Sequence, residues 1–454
     1  MININRNPQF QTITNLLKDL GKVGEGVFPA ISEEMQIVPT TFEIEGSIDT
    51  VWDNYKSRKS EESLKTKRFS SFIDGVQRSA IVYWITDNNL GIRIPIVMGH
   101  IAAGVTIRDE NKKLRALDKY IRDRILLLFP YTGIIKSSNP NLENIIKNWI
   151  DSGFVIPETK ISENLIETFE DNSKIILCDT TFNKISRTEK DEENLIQEAQ
   201  DDIDNGKSTN LLIDTNLYNI NKIRGRAQGR INVLRQILEM FILTKFKIDK
   251  IENKYNNEND LILVDGPLFF FGKWVKKYKL FENKRDDERE AIILKNVVGF
   301  VKTLKSRPKK IDILKQILNL EEGYYSDLLY IEDAIDISGE KEGYEKFTKP
   351  HVVTFLRFKT PRDFKPPSHL GLVRIDLHLS TFNADTFEEI KGNSENTYKT
   401  MDDIINAILN ERLPGVDQIG RTFTETFPIR ETEKMLHSRL YSTLEMKYLY
   451  SLIK

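Results

Sequence analysis

The sequence predicts an α/β protein: a mixed sheet flanked by helices and interrupted by a largely helical insertion. Three observations lead there. Residues 70–108 are rich in Ile, Val, Tyr and Trp and are punctuated by turn formers. From Arg224 onward, helical and strand-like segments alternate. Between them, about 109 to 215, helical periodicity and charge take over. The 454 residues carry 66 Lys+Arg against 68 Asp+Glu, a net charge of −2, and 24 Phe with 15 Tyr supply core material. Such a composition excludes a disordered chain. At about 150 residues per domain it allows two or three domains, or one large domain with insertions.

The elements follow in order. Residues 1–69 are polar and partly helical, ending in a charged stretch, Lys56 to Arg68, that reads as a solvated helix or linker. Phe72 and Ile73 lead into Asp74-Gly75, Ile81 to Ile85 form a second apolar run, and Ile92 to Ile107 alternates well enough for further strands. We expect an antiparallel meander of about three strands over 70–108. Leu114–Leu128 and Leu142–Ile150 read as amphipathic helices, followed by an acidic tract ending near Asp204. A helix over Arg224–Lys247 places Ile231, Leu234, Leu238, Phe241 and Ile242 at i, i+3, i+4 spacing. Next come a strand ending in Asp265, a helix over Lys284–Leu294, the strand NVVGFVKTLK and a helix over Ile311–Leu318. Strands at Val352–Phe358 and Leu372–Leu379 and helices over 400–412 and 429–453 close the chain. Three antiparallel strands followed by alternating helix and strand is the order of the ribonuclease H-like fold. The core is then 70–108 with 216–454, and 109–215 is the insertion.

Composition also bounds function. The sole cysteine, Cys178, excludes an intrachain disulfide and any Cys-based zinc or iron–sulfur site, and fits a reducing compartment. The start, MININRNPQFQTITNLL, lacks the pattern of a signal peptide, and no run of about 18 apolar residues suggests a membrane span. A soluble, cytoplasmic protein is expected. With a near-neutral charge, nucleic-acid contact must come from local patches. There is no GxxxxGK[ST], no GxGxxG and no HExxH, so nucleotide hydrolysis, Rossmann-type cofactors and zinc catalysis find no support.

Four segments carry candidate chemistry. In FIDGVQRS, Asp74 follows an apolar strand start, and a carboxylate inside a sheet is costly unless a cation offsets its desolvation. The plainer reading is an Asp-Gly turn. LILVDGPL repeats the grammar, with Asp265 where ligands bind in open α/β sheets. Two such carboxylates on neighbouring strands suit Mg²⁺ or Mn²⁺. On the helix before it, Arg224, Gln228, Arg235 and Glu239 share a polar strip, so Glu239 reaches the sheet edge as a third ligand and the arginines approach a phosphate backbone. An ordinary Arg235–Glu239 surface pair is the alternative. Lys302 ends the next strand, placed to contact a phosphate, with Lys305 and Arg307 beyond it to track the strand backbone. For Lys309 and Lys310 a solvated loop is the better reading. His437 lies one turn after Glu433, able to position a water or a metal, or simply exposed.

In this order, FIDGVQRS, LRQILEMFIL, LILVDGPL, VVGFVKTLK and FPIRETEKMLHSRL resemble the NurA nuclease family. The resemblance covers 70–108 and 224–306, and about 420–440 loosely. It implies a nuclease domain over 70–108 and 216–454 that cuts DNA with Mn²⁺ or Mg²⁺. It also implies a homodimer working with HerA, a hexameric DNA-translocating ATPase, in end processing or anti-phage defence. Asp74, Glu239 and Asp265 would be the metal-binding carboxylates, Lys302 the phosphate-contacting lysine and His437 a further catalytic candidate. The family's active-site tyrosine has no matching position, and the gap between Asp74 and Asp265 is unusually long. The N-terminal segment and the insertion would then serve dimerisation, ATPase docking or guarding of the DNA channel. The alternative is a catalytically inactive partner that docks on such an ATPase and regulates it. A sugar-kinase-like relative would need two glycine-rich phosphate loops, which the sequence lacks.

Overall fold

The computed structural model describes residues 8–21, 26–27, 47–52, 56–60, 67–87, 91–137, 140–162, 165–181, 219–252, 260–268, 285–302, 307–308, 310–332, 351–360, 368–413 and 424–447, with isolated positions between. The elements that frame the molecule are α1 (Pro8–Gly21), β1 (Arg68–Asp87), β2 (Ile92–Arg108), β3 (Arg122–Phe129), α2 (Asn141–Asp151), β4 (Val155–Pro157) and β5 (Ile175–Asp179). They continue with α3 (Ile220–Glu252), β6 (Asp260–Asp265), β7 (Val297–Val301), β8 (Leu329–Glu332), β9 (His351–Arg357), β10 (Leu372–His378), α4 (Ser394–Asn410) and α5 (Phe427–His437).

One mixed sheet runs in the order β8-β9-β10-β7-β6-β1-β2-β3-β5-β4. Its centre, β3-β2-β1-β6-β7, has β1, β2 and β3 antiparallel, β6 parallel to β1 and β7 parallel to β6. This is the ribonuclease H-like order expected from the sequence. It widens through parallel β5 and β4 on one side and antiparallel β10, β9 and β8 on the other.

Both faces are covered. The aliphatic stripe of α3 packs on one, joining Ile73, Val97, Ile101, Val105 and Val264 in a shared core. The other face of β1 exposes Phe72, Val76, Ala80 and Val82 in turn. Phe72 meets α4, Val76 meets α5, and Ala80 and Val82 meet the α1–α2 layer. Along α1, Ile13, Leu16, Leu17 and Leu20 are buried. Among the described residues no helix is long and apolar enough to cross a membrane.

Several expectations need correction. Residues 70–108 form two long strands, not three. The third strand of the meander is β3, inside the segment read as a helical insertion. Leu114–Leu128 is not a helix: it holds a short strand (Leu114–Ala116), a 3₁₀ turn (Asp118–Tyr120) and most of β3. In RDRILLLF the aliphatics from Ile125 to Phe129 are buried on both faces, and a continuous apolar run does not distinguish strand from helix by period. The 109–215 segment therefore builds the sheet through β3, β4 and β5, while α2 matches the helix expected there. Most of its acidic tract lies outside the described residues. Of the charged Lys56–Arg68 stretch, Ser57–Lys59 is a short strand, and residues 61–66 lie outside the described residues. The closing helix is two: α5 stops at His437, and Thr443–Lys447 begins anew. Ser442 and Glu445 exchange bonds there, Ser442 N–H to Glu445 Oε2 at 2.7 Å and Glu445 N–H to Ser442 Oγ at 3.1 Å, a capping box that starts the second helix.

Candidate active site: a carboxylate cleft at the end of β6

Ile73 of β1 pairs with Val264 of β6, so Asp74 and Asp265 follow at the same level of adjacent parallel strands, about 4.8 Å apart. Ile73 and Val264 face the α3 core, and alternation turns both aspartates to the opposite face. Asp74 is therefore a mid-strand residue, not a turn, and is 3% exposed. Asp265 sits at the rim, because β6 ends there. Gly266 takes φ 129°, a conformation cheap only for glycine, and its N–H donates to Phe300 O at 3.1 Å. Lys302, immediately after β7, donates from Nζ to Asp265 Oδ2 at 2.8 Å.

Glu239 arrives from α3, on the far side of the sheet. It fits because Gly75 has no side chain: a Cβ there would overlap the Glu239 carboxylate and lie 2.7 Å from its Cγ. Arg235, one turn earlier, pairs with Glu239 and donates to the Gly75 carbonyl at 3.1 Å. The Arg235–Glu239 pair is thus neither ordinary nor exposed, since Glu239 is 2% accessible. From above, α5 supplies Glu433 and His437, with His437 Nε2 3.5 Å from Glu433 Oε1.

A cleft of about 420 Å³ joins these parts; Asp74, Arg235, Asp265, Lys302, Glu433 and His437 all line it. Other expected contacts do not gather here. Arg224 is fifteen residues before Glu239 on the same helix, about 22 Å along its axis. The Arg307 backbone pairs with Ser47 at the far edge of the sheet, where the short strands Ser47–Thr50 and Arg307–Pro308 continue it past β8, six strands beyond β6. Lys305 lies outside the described residues. The sequence reading missed an amide wall. Gln77 donates from Nε2 to Asn232 Oδ1 at 2.6 Å, and Gln77, Asn232 and Gln236 all line the cleft. The available signal was Gly75, Gln77 and Ser79 on alternate positions of β1, small or polar where that face meets α3.

Burial above all, then the charges of Asp265 and Glu239, hold the Asp74 carboxyl well above the usual carboxylate range, against the pull of Lys302 and Arg235. Burial likewise pushes Glu239 up to about 7, with Arg235 pulling down and Asp265 raising. Burial and the neighbouring carboxylates thus both disfavour the charged forms of Asp74 and Glu239, and Lys302 and Arg235 only partly offset this. Among the described residues, no group of three His, Cys, Asp or Glu side chains is arranged to hold an ion as it stands. In donor chemistry, however, the oxygen-only set suits a hard divalent cation, which would relieve the mutual repulsion that raises Asp74.

No family model matches the chain, and no curated protein matches it in sequence.

Proposed function

We propose that this chain is a metal-dependent DNA nuclease of the NurA type, acting in the cytoplasm as a homodimer with a HerA-like hexameric ATPase in DNA end processing or anti-phage defence. One observation carries the reading. Asp74 and Asp265 stand side by side on neighbouring strands of a ribonuclease H-like sheet, Lys302 pairs with Asp265, and the carboxylate of Glu239 lies against Gly75, next to Asp74, close enough for its charge to act on Asp74. Asp74, Asp265 and Glu239 would hold Mn²⁺ or Mg²⁺, which when bound would activate a water and offset developing negative charge. Lys302 gives up its pairing with Asp265 and meets the phosphate. Arg235 fixes Glu239 and the Gly75 carbonyl, so the third carboxylate keeps its aim. His437, oriented by Glu433, holds or passes a proton at the cleft mouth. No side chain acts as a covalent nucleophile.

The test is cleavage of linear and circular DNA with Mn²⁺, Mg²⁺ or EDTA, with and without the ATPase, for wild type, Asp74→Ala and Asp265→Ala. Metal-dependent cutting lost in both variants is the expected result. One observation favours a second reading, an inactive docking partner that regulates the ATPase: Lys302 and Arg235 already pair with Asp265 and Glu239. That protein would bind the ATPase and cut nothing under any of these conditions.

A further inference from the structure

A second cleft, of about 870 Å³, opens on the other side of α5. Phe427, Glu431 and Met435 face it, whereas Glu433 and His437, around the helix, face the carboxylates. Thr432 anchors the helix between the two through its hydroxyl contact with Thr106 of β2 at 2.6 Å, both residues being buried.

The second cleft is basic. Arg108, Lys112, Lys113 and Arg412 line it against two acids, Glu411 and Glu431. Both acids are engaged, Glu411 by Arg108 at 2.7 Å and Glu431 by Lys434 at 2.6 Å. Arg412 is held in place by Glu322 at 2.6 Å. The Nε atoms of Arg108 and Arg412 are buried without a hydrogen-bond partner among the described residues. Lys112 and Lys113 are exposed at a hairpin tip closed by Asp109, and among the described residues neither ammonium has an acidic partner. Lys112 adopts φ 60°, the left-handed conformation that closes the hairpin tip. Phe427, a large aromatic on the first turn of α5, is 46% exposed at the same cleft.

We propose that this cleft seats a single strand of nucleic acid, its cations holding phosphates and Phe427 stacking an unpaired base. Cationic grooves with an exposed aromatic are how sequence-tolerant single-strand binding is built. A duplex keeps its bases stacked internally and offers Phe427 only sugar and phosphate. An acidic peptide gives the ring no flat partner. The ridge of α5 is about 10 Å across, so a strand leaving the cleft reaches the carboxylates within about three nucleotides. The proposal rests on the nuclease reading only for what the strand is delivered to, not for its binding.

The test is fluorescence anisotropy of labelled 12-nucleotide DNA and RNA strands in EDTA, against wild type, Lys112→Glu/Lys113→Glu and Phe427→Ala. Both lysines are surface residues of a hairpin, so folding is preserved. The charge reversal is expected to weaken binding at least 10-fold and to flatten the salt slope by about 1.4, two phosphate contacts' worth for a single strand. Phe427→Ala is expected to weaken it about 10-fold at unchanged slope. Wild-type affinity in the lysine variant overturns the assignment, as does a wild type that binds a poly-glutamate peptide but neither oligonucleotide. The two proposals separate cleanly. Binding lost in the lysine variant, with no metal-dependent cutting by wild type, keeps this cleft and removes the nuclease. Cutting by the lysine variant at the wild-type KM does the reverse.

Discussion

At Gly75 the space of a side chain is occupied by the carboxylate of Glu239, which comes from the opposite face of the sheet to Asp74. A single methyl group therefore competes with a proposed ligand. Gly75→Ala is expected to displace Glu239, costing about 1–3 kcal/mol of stability by overpacking. It should also lower metal-dependent cleavage by roughly 100-fold, as misplacement of about an ångström does. Thermal melts and kcat on a linear duplex measure the two effects separately. Full activity in a folded variant would show that the cleft works without the third carboxylate. The Asp-Gly dipeptide was legible in the sequence as a place where a carboxylate meets special backbone. Its meaning was not, because glycine in a turn and glycine beneath a crossing side chain leave the same letter. Asp265-Gly266 is the contrasting case, since there the positive φ of Gly266 does end the strand.

Single elements place the site by the ions they bury as well as by their apolar faces. Arg230 of α3 pairs with Glu158, and each side chain is 4% exposed. This pair ties the helix that carries Arg235 and Glu239 to the edge of the sheet near β4. Removing one partner strands the other charge in the core, so Arg230→Met is expected to cost about 3–5 kcal/mol in urea denaturation. Glu158→Leu with Arg230→Met should recover most of that loss, and a double variant as unstable as the single one would refute the account. Of the elements the sequence made legible, α3 was read from its helical period, whereas β6, β7, β9 and β10 are buried along nearly their whole length, as β3 is, and were read as short strands between breaks in the pattern. β3 was misread because it follows Leu114–Ala116 with no such break and its apolar run has no period of its own, and its pairing partners β2 and β5 lie before and after it in the chain. The candidates Asp74, Glu239 and Asp265 were read from Asp-Gly pairs after apolar runs and from helix period. The amide wall of Gln77, Asn232 and Gln236 was not, since single polar residues on a buried helix become visible only when the facing strand is known.

For the molecule as a whole, the carboxylate cleft is a store of instability that protons or a cation relieve. Asp74 and Glu239 both have folded-state pKa values above their unfolded ones, so the folded protein binds more protons across the intervening range. The stabilisation they contribute is complete below the unfolded carboxylate range and is lost as pH rises through the folded values, about 7 for Glu239. For Glu239 alone this amounts to something on the order of 3 kcal/mol. In EDTA the Tm is therefore expected to fall between pH 5 and pH 8. Asp74→Asn, neutral throughout, should raise the Tm at pH 8 and flatten that fall. A divalent ion takes the place of the protons, so Mg²⁺ or Mn²⁺ should raise the Tm more at pH 8 than at pH 5. At a hundred times its dissociation constant the ion adds about 2.7 kcal/mol, a shift of a few degrees. Differential scanning fluorimetry across pH, with metal and with EDTA, reads all of this without DNA or the ATPase. A pH-independent Tm, or a metal shift that survives in an Asp74→Asn/Asp265→Asn variant, would mean that the cleft neither stores the charge nor holds the ion.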